Sequence, residues 1–120
     1  MSQTAVIVGK AYDYTLWLIN KVEHFPRSHR VLLGDRIISG VLDVLQSLVA
    51  AAHSREKATL LATANTQLDS LRYLLRLSKD LRLISLDSYE YSAGCSEEIG
   101  RMLGGWKKQV SERTKEADSR

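Results

Sequence analysis

The chain has 120 residues, 44% hydrophobic and 26% charged, with a formal charge of +3. A domain of that size buries about two-thirds of the surface its unfolded chain exposes, so general disorder is excluded. Seven glycines and one proline are too few for a turn-rich sandwich or barrel. The single Cys95 excludes an intramolecular disulfide framework or a thiolate zinc site, and points to a reducing, cytoplasmic setting. No apolar run reaches the roughly 20 residues a membrane span needs, and the stretch Ala5-Val6-Ile7-Val8 is too short for a signal-peptide core.

Four apolar-periodic stretches follow one another along a single domain, residues 1–120, with no internal repeat. The first predicted helix spans about 4–25, where Ile7, Ala11, Tyr14, Leu18, Val22 and Phe25 recur at helical spacing. It ends at Pro26, because the residue before a proline is pushed out of the α region. Ser28 is the expected cap of a second helix, about 28–53, with Ile37, Ile38, Val41, Leu42, Val44, Leu45, Leu48, Val49 and Ala52 on a wide apolar face. Ser54 is the expected cap of a third helix, about 55–83, in which Leu60, Ala64, Leu68, Leu71, Leu74 and Leu75 cluster and Leu77 and Leu81 extend the face. Ser85 or Asp87 opens a fourth, about 86–110, and Asp87 with Glu90 has the spacing of a capping box. Its stripe is Tyr91, Cys95, Ile99, Met102, Leu103, Trp106 and Val110, and residues 111–120 form a polar tail expected to fray. Four such helices joined by short loops define an all-α, up-down four-helix bundle.

Bundles often house metals, but no Glu-x-x-His pair occurs, His24 and His29 flank Pro26, and His53 stands alone at a helix end. Cys95 lies on the apolar stripe, where a thiol acts as a small hydrophobe with a raised pKa. There is no phosphate-cradling glycine loop, and neighbouring Glu97 and Glu98 point to different faces. No metal, no cofactor and no enzymatic activity are expected.

The third helix carries Arg72, Arg76 and Lys79 at i, i+4 and i+7. Like charges at that spacing repel by a few tenths of a kcal/mol per pair, so the strip fits either a polyanion or a solvated face balanced by Asp69 and Asp80. The wheel angle of neighbouring Tyr73 points away from it. A second basic excess begins at Arg101 and includes Lys107 and Lys108. The fourth helix also bears a stripe of small residues, Ala93, Ser96, Gly100, Gly104 and Ser111, which fits either close approach of another backbone or, at Gly104-Gly105, a weak point in the helix. Trp17 and Trp106 are core or interface anchors, and Tyr12, Leu16 and Ile19 add apolar surface beyond one bundle seam.

Three segments in order carry a family resemblance: Phe25-Pro26-Arg27-Ser28-His29-Arg30-Val31-Leu32-Leu33-Gly34-Asp35-Arg36-Ile37, then Leu71-Arg72-Tyr73-Leu74-Leu75-Arg76-Leu77-Ser78-Lys79-Asp80-Leu81-Arg82-Leu83-Ile84-Ser85, then Glu98-Ile99-Gly100-Arg101-Met102-Leu103-Gly104-Gly105-Trp106. From about Ala11 to Lys108 the chain resembles the accessory variability determinant (Avd) proteins of diversity-generating retroelements. The resemblance implies a homopentameric barrel of four-helix bundles that binds the element's reverse transcriptase and RNA or DNA. It implies a non-catalytic role in mutagenic cDNA synthesis and retrohoming. It places Arg72 and Arg76 on the basic surface; Lys79, Arg101, Lys107 and Lys108 complete the candidate binding set. Avd proteins are often strongly basic, whereas +3 is modest, so much of the contact is expected to come from the reverse transcriptase. The same bundle is similar to proteins encoded by intervening sequences of 23S rRNA genes, which implies the alternative of a structural bundle with no polymerase partner.

Overall fold

The computed structural model describes residues 2–119. Helix α1 is Gln3–Val22, and α2 follows in three consecutive stretches: Arg27–His29, a π-helical Arg30–Gly34, and Asp35–His53. Helix α3 is Lys57–Asp80 and α4 is Leu86–Asp118. No strand occurs among the described residues. Each helix packs on its neighbours in sequence and α1 closes on α4; the α2–α3 seam is the most extensive and the α1–α4 seam the least. The result is an up-down four-helix bundle, 57 Å long and 23 Å across.

The core follows the apolar phase of each helix. Ile7, Ala11, Tyr14, Leu18 and Val22 of α1 meet Ile37, Val41, Val44, Leu48 and Ala51 of α2; Leu61, Ala64, Leu68, Leu71 and Leu75 of α3 and Ile99, Leu103 and Trp106 of α4 complete it. Each fully buried leucine or isoleucine contributes about 1.5–3 kcal/mol relative to exposure. Several positions expected to face inward do not, and Val49 at the edge of the α2 face is 41% exposed. Leu77 and Leu81 are 46% and 47% exposed, and the small Ser78 turns inward instead, its hydroxyl donating to Leu74 O at 2.9 Å. Tyr91 is also exposed; Ser92 and Ser96 take the inward positions above Ile99. Ser92 there is hydrogen-bonded to the hydroxyl of Tyr14 from α1.

The helix ends correct several sequence-based boundaries. Helix α1 stops at Val22, short of 25, although Phe25 still reaches the core. Ser28 does not cap α2; Pro26 occupies the cap position without a side-chain bond, and its carbonyl accepts from Arg30 N at 2.9 Å. A hydrogen bond from Asp35 N to Arg30 O widens the next turn, which leaves Val31 and Leu32 exposed and seats Gly34 against Val22. Ser54 accepts from Glu56 N at 2.9 Å just ahead of α3, whose own cap position is Glu56. Helix α3 ends at Asp80 rather than 83, closed by Arg82 N to Lys79 O and Leu83 N to Ser78 O. Those two bonds form a Schellman turn, with Arg82 at φ 61° in the position glycine usually takes. Ser85, not Asp87, caps α4 by accepting from Ser88 N. Beyond 110 the helix continues to Asp118, with residues 111–118 exposed.

Candidate nucleic-acid interface

The basic strip of α3 borders α4, and its three cations have different surroundings. Arg72 is held in place: Nη2 donates to Ser96 O on α4 at 2.9 Å and Nη1 lies 3.2 Å from Asp69 Oδ1. Lys79 is also engaged, 3.5 Å from Asp80 Oδ1 and 4.7 Å from the ring centroid of Tyr89. Arg76 is exposed and forms no ion pair among the described residues. The strip is therefore part brace and part free charge.

Arg72 and Arg76, but not Lys79, line a groove of about 430 Å³ together with Asp69, Tyr73 and Tyr89. Arg72 and Tyr89 also border a smaller cavity of about 290 Å³ that reaches down to Tyr14 and Ser92. The wheel reading of Tyr73 is corrected here, because its ring is 70% exposed and edges the same groove as Arg72 and Arg76. Spacing between Tyr73 and the arginines does not reveal this, since the groove is completed by Tyr89 from another helix. A usable signal existed in the off-phase apolar series Tyr73, Leu77 and Leu81, all exposed.

The remaining candidate cations lie elsewhere. Arg101 and Lys108 are exposed and Lys107 half-buried on α4, and none lines this groove. Helices α3 and α4 run antiparallel, so Lys108 sits roughly 18 Å along the axis from the Arg72–Ser96 contact. The small-residue stripe also divides. A Cβ on Gly100 would lie 2.6 Å from Arg72 Nη2, so the close approach is by a guanidinium. Nothing lies within 4 Å of the corresponding position on Gly104.

On the α1–α4 seam, Cys95 is half-buried in a cavity with Lys10, Tyr91 and Glu98. Burial raises its thiol pKa, a hydrogen bond from Tyr91 lowers it, and Glu98 raises it further. A thiol held protonated is a poor nucleophile. Trp17 packs against Tyr91 with centroids 4.9 Å apart and the rings tilted by 41°, and Lys21 lies over its ring, whereas Trp106 is a core residue. The three histidines lie in or beside the loops, and no group of three or more His, Cys, Asp or Glu that could hold a metal occurs among the described residues. No described helix is long and apolar enough to cross a membrane.

Fold and surface together define a helical bundle whose most chemically distinctive feature is a basic groove edged by tyrosines. Residues 5–110 match the bAvd-like family, and the chain belongs to it. That match is wider than the stretch from Ala11 to Lys108 carrying the sequence resemblance. Among solved structures, the chain is similar to a protein with unknown function from the S23 ribosomal protein family of Bacteroides thetaiotaomicron VPI-5482. The two superpose with a TM-score of 0.83 at 16% identity, covering 89% of this chain and 99% of the other. No curated protein matches the chain significantly.

Proposed function

We propose that this protein is a non-catalytic, cytoplasmic accessory subunit of a diversity-generating retroelement. It binds the element's reverse transcriptase and its template RNA or cDNA, and acts as a homopentamer in mutagenic retrohoming. Membership of the bAvd-like family over residues 5–110 carries this reading. The groove supplies the chemistry: Arg76, which forms no ion pair among the described residues, offers its guanidinium to a phosphate beside Arg72, and Lys79 adds charge from the same strip. Assembly multiplies the weak charge of one chain, since five copies at +3 carry about +15 on one particle. Arg101, Lys107 and Lys108 extend the basic surface toward the other end of the bundle. Likeness to the S23 structure at 16% identity speaks for the fold and not for the role.

Light scattering in low and high salt tests the assembly. Five times the chain mass of 13.5 kDa in both buffers is expected, and a monomer in both removes the pentamer. Co-purification with the reverse transcriptase and titration with template RNA at several salt concentrations test the partners. Arg76→Ala is expected to weaken RNA binding across sequences and to lower the salt slope by about one unit. Unchanged slope and affinity would return Arg76 to an ordinary solvated side chain.

A further inference from the structure

Resting on the nucleic-acid reading above, we propose that the α3–α4 groove is a site for unpaired nucleotides, with Tyr73 stacking a base and Arg76 holding the adjoining phosphate. The division of roles follows from what is still free in the groove. Of its two rings, Tyr89 already carries the Lys79 ammonium at 4.7 Å and is half-buried, whereas Tyr73 is 70% exposed. Of its two arginines, Arg72 is engaged by Ser96 O and Asp69, whereas Arg76 has no partner among the described residues. One open aromatic face and one unpaired guanidinium, three residues apart on α3, border a single groove.

Charge gives the site a direction. On its other side Tyr73 borders a second groove containing Asp35, Asp43 and Arg36, where carboxylates outnumber the cation and a phosphate is repelled. A strand whose base lies on Tyr73 therefore runs its backbone on the Arg76 side. The groove, at about 430 Å³, falls within the roughly 300–1,000 Å³ of small-ligand clefts. A duplex keeps its base faces stacked internally, so the ring of Tyr73 gains nothing from it, whereas a single strand offers a free face.

The test is fluorescence anisotropy of the full chain with a short labelled oligothymidylate and with a duplex of equal length. Tyr73→Ala is expected to weaken single-strand binding by roughly 5- to 150-fold, the range for losing one stacked base, and to leave duplex binding unchanged. Tyr73→Phe keeps the ring and is expected to bind as wild type, while Arg76→Ala weakens both ligands. If Arg76→Ala weakens binding but Tyr73→Ala does not, or Tyr73→Ala weakens both ligands equally, the stacking site is overturned and the nucleic-acid reading stands. If the wild-type chain binds neither ligand, both fall. If Tyr73→Ala disturbs only co-purification of the reverse transcriptase, the groove serves a protein surface and the stacking site is again overturned.

Discussion

The guanidinium of Arg72 lies across Gly100: Nη2 reaches Ser96 O at 2.9 Å, passing 2.6 Å from where a Cβ on residue 100 would be. An arginine from the candidate binding strip is thus also a tie between α3 and α4, and it needs a glycine beneath it. Gly100→Ala pushes aside the far end of a flexible side chain while improving helix propensity by about 1 kcal/mol. Stability within about 1 kcal/mol of wild type is expected in urea denaturation. The Arg72 guanidinium should lose its ordered environment, read by its side-chain NMR resonance. A destabilisation beyond about 2 kcal/mol would mean that Arg72 has no room to move aside.

Gly34 presents the opposite case. Its missing Cβ would meet Val22 Cγ1 at 2.6 Å, and Val22 is a short, buried, β-branched residue with nowhere to turn. Gly34→Ala is expected to destabilise by about 1–3 kcal/mol despite better helix propensity. Adding Val22→Ala should cost less in the Gly34→Ala background than in wild type, a coupling that a double-mutant cycle measures.

Arg82 holds φ 61° at the end of α3, where a side chain strains the left-handed conformation. Arg82→Gly relieves that strain, partly offset by the greater freedom glycine brings to the unfolded chain. A net stabilisation of up to about 1 kcal/mol is expected, read as a raised urea midpoint. Arg82→Ala, which keeps the strain, should not reproduce it.

Tyr14 couples the bundle to alkaline pH. Burial pushes its phenol from 10.0 up to about 12, partly offset by the hydrogen bond with Ser92. The folded state therefore keeps the proton that the unfolded chain releases first. This contribution is fully present below about pH 10 and is lost at about 1.4 kcal/mol per unit as pH rises to about 12. Tyr14→Phe should lose about 1–3 kcal/mol at neutral pH by leaving Ser92 unpartnered, and should show a shallower fall in stability between pH 10 and 12. Equal slopes in wild type and variant would overturn this assignment.

Much of the bundle was legible because helical periodicity is a local property. The recurrences of Ile7 to Val22, Ile37 to Leu48 and Ala64 to Leu75 each mark an inward face without knowledge of the others. At the start of α3, however, Leu61 and not the expected Leu60 is the fully buried residue. The misread positions lie where a neighbouring helix decides. Leu77 and Leu81 extend an apolar wheel on paper, but Ser78 faces inward. Tyr91 yields its place to Ser92 because Tyr14 on α1 needs a small hydrogen-bonding partner. Ser28 looked like a cap, yet the backbone after Pro26 enters the helix without one.

The candidate site divides along the same line. Sequence alone placed Arg72, Arg76 and Lys79 on one strip, because i, i+4 and i+7 share a face on any helix. It also set the helix count, the net charge and, through three ordered segments, the family. Only the tertiary structure distinguished the three cations. Arg72 is tied to Ser96, Lys79 sits over Tyr89, and Arg76 has no ion-pair partner among the described residues. Tyr73 joined the groove for the same reason. Which groups are spent and which are available depends on partners from α4 that are distant along the chain, and periodicity within one helix carries no information about them.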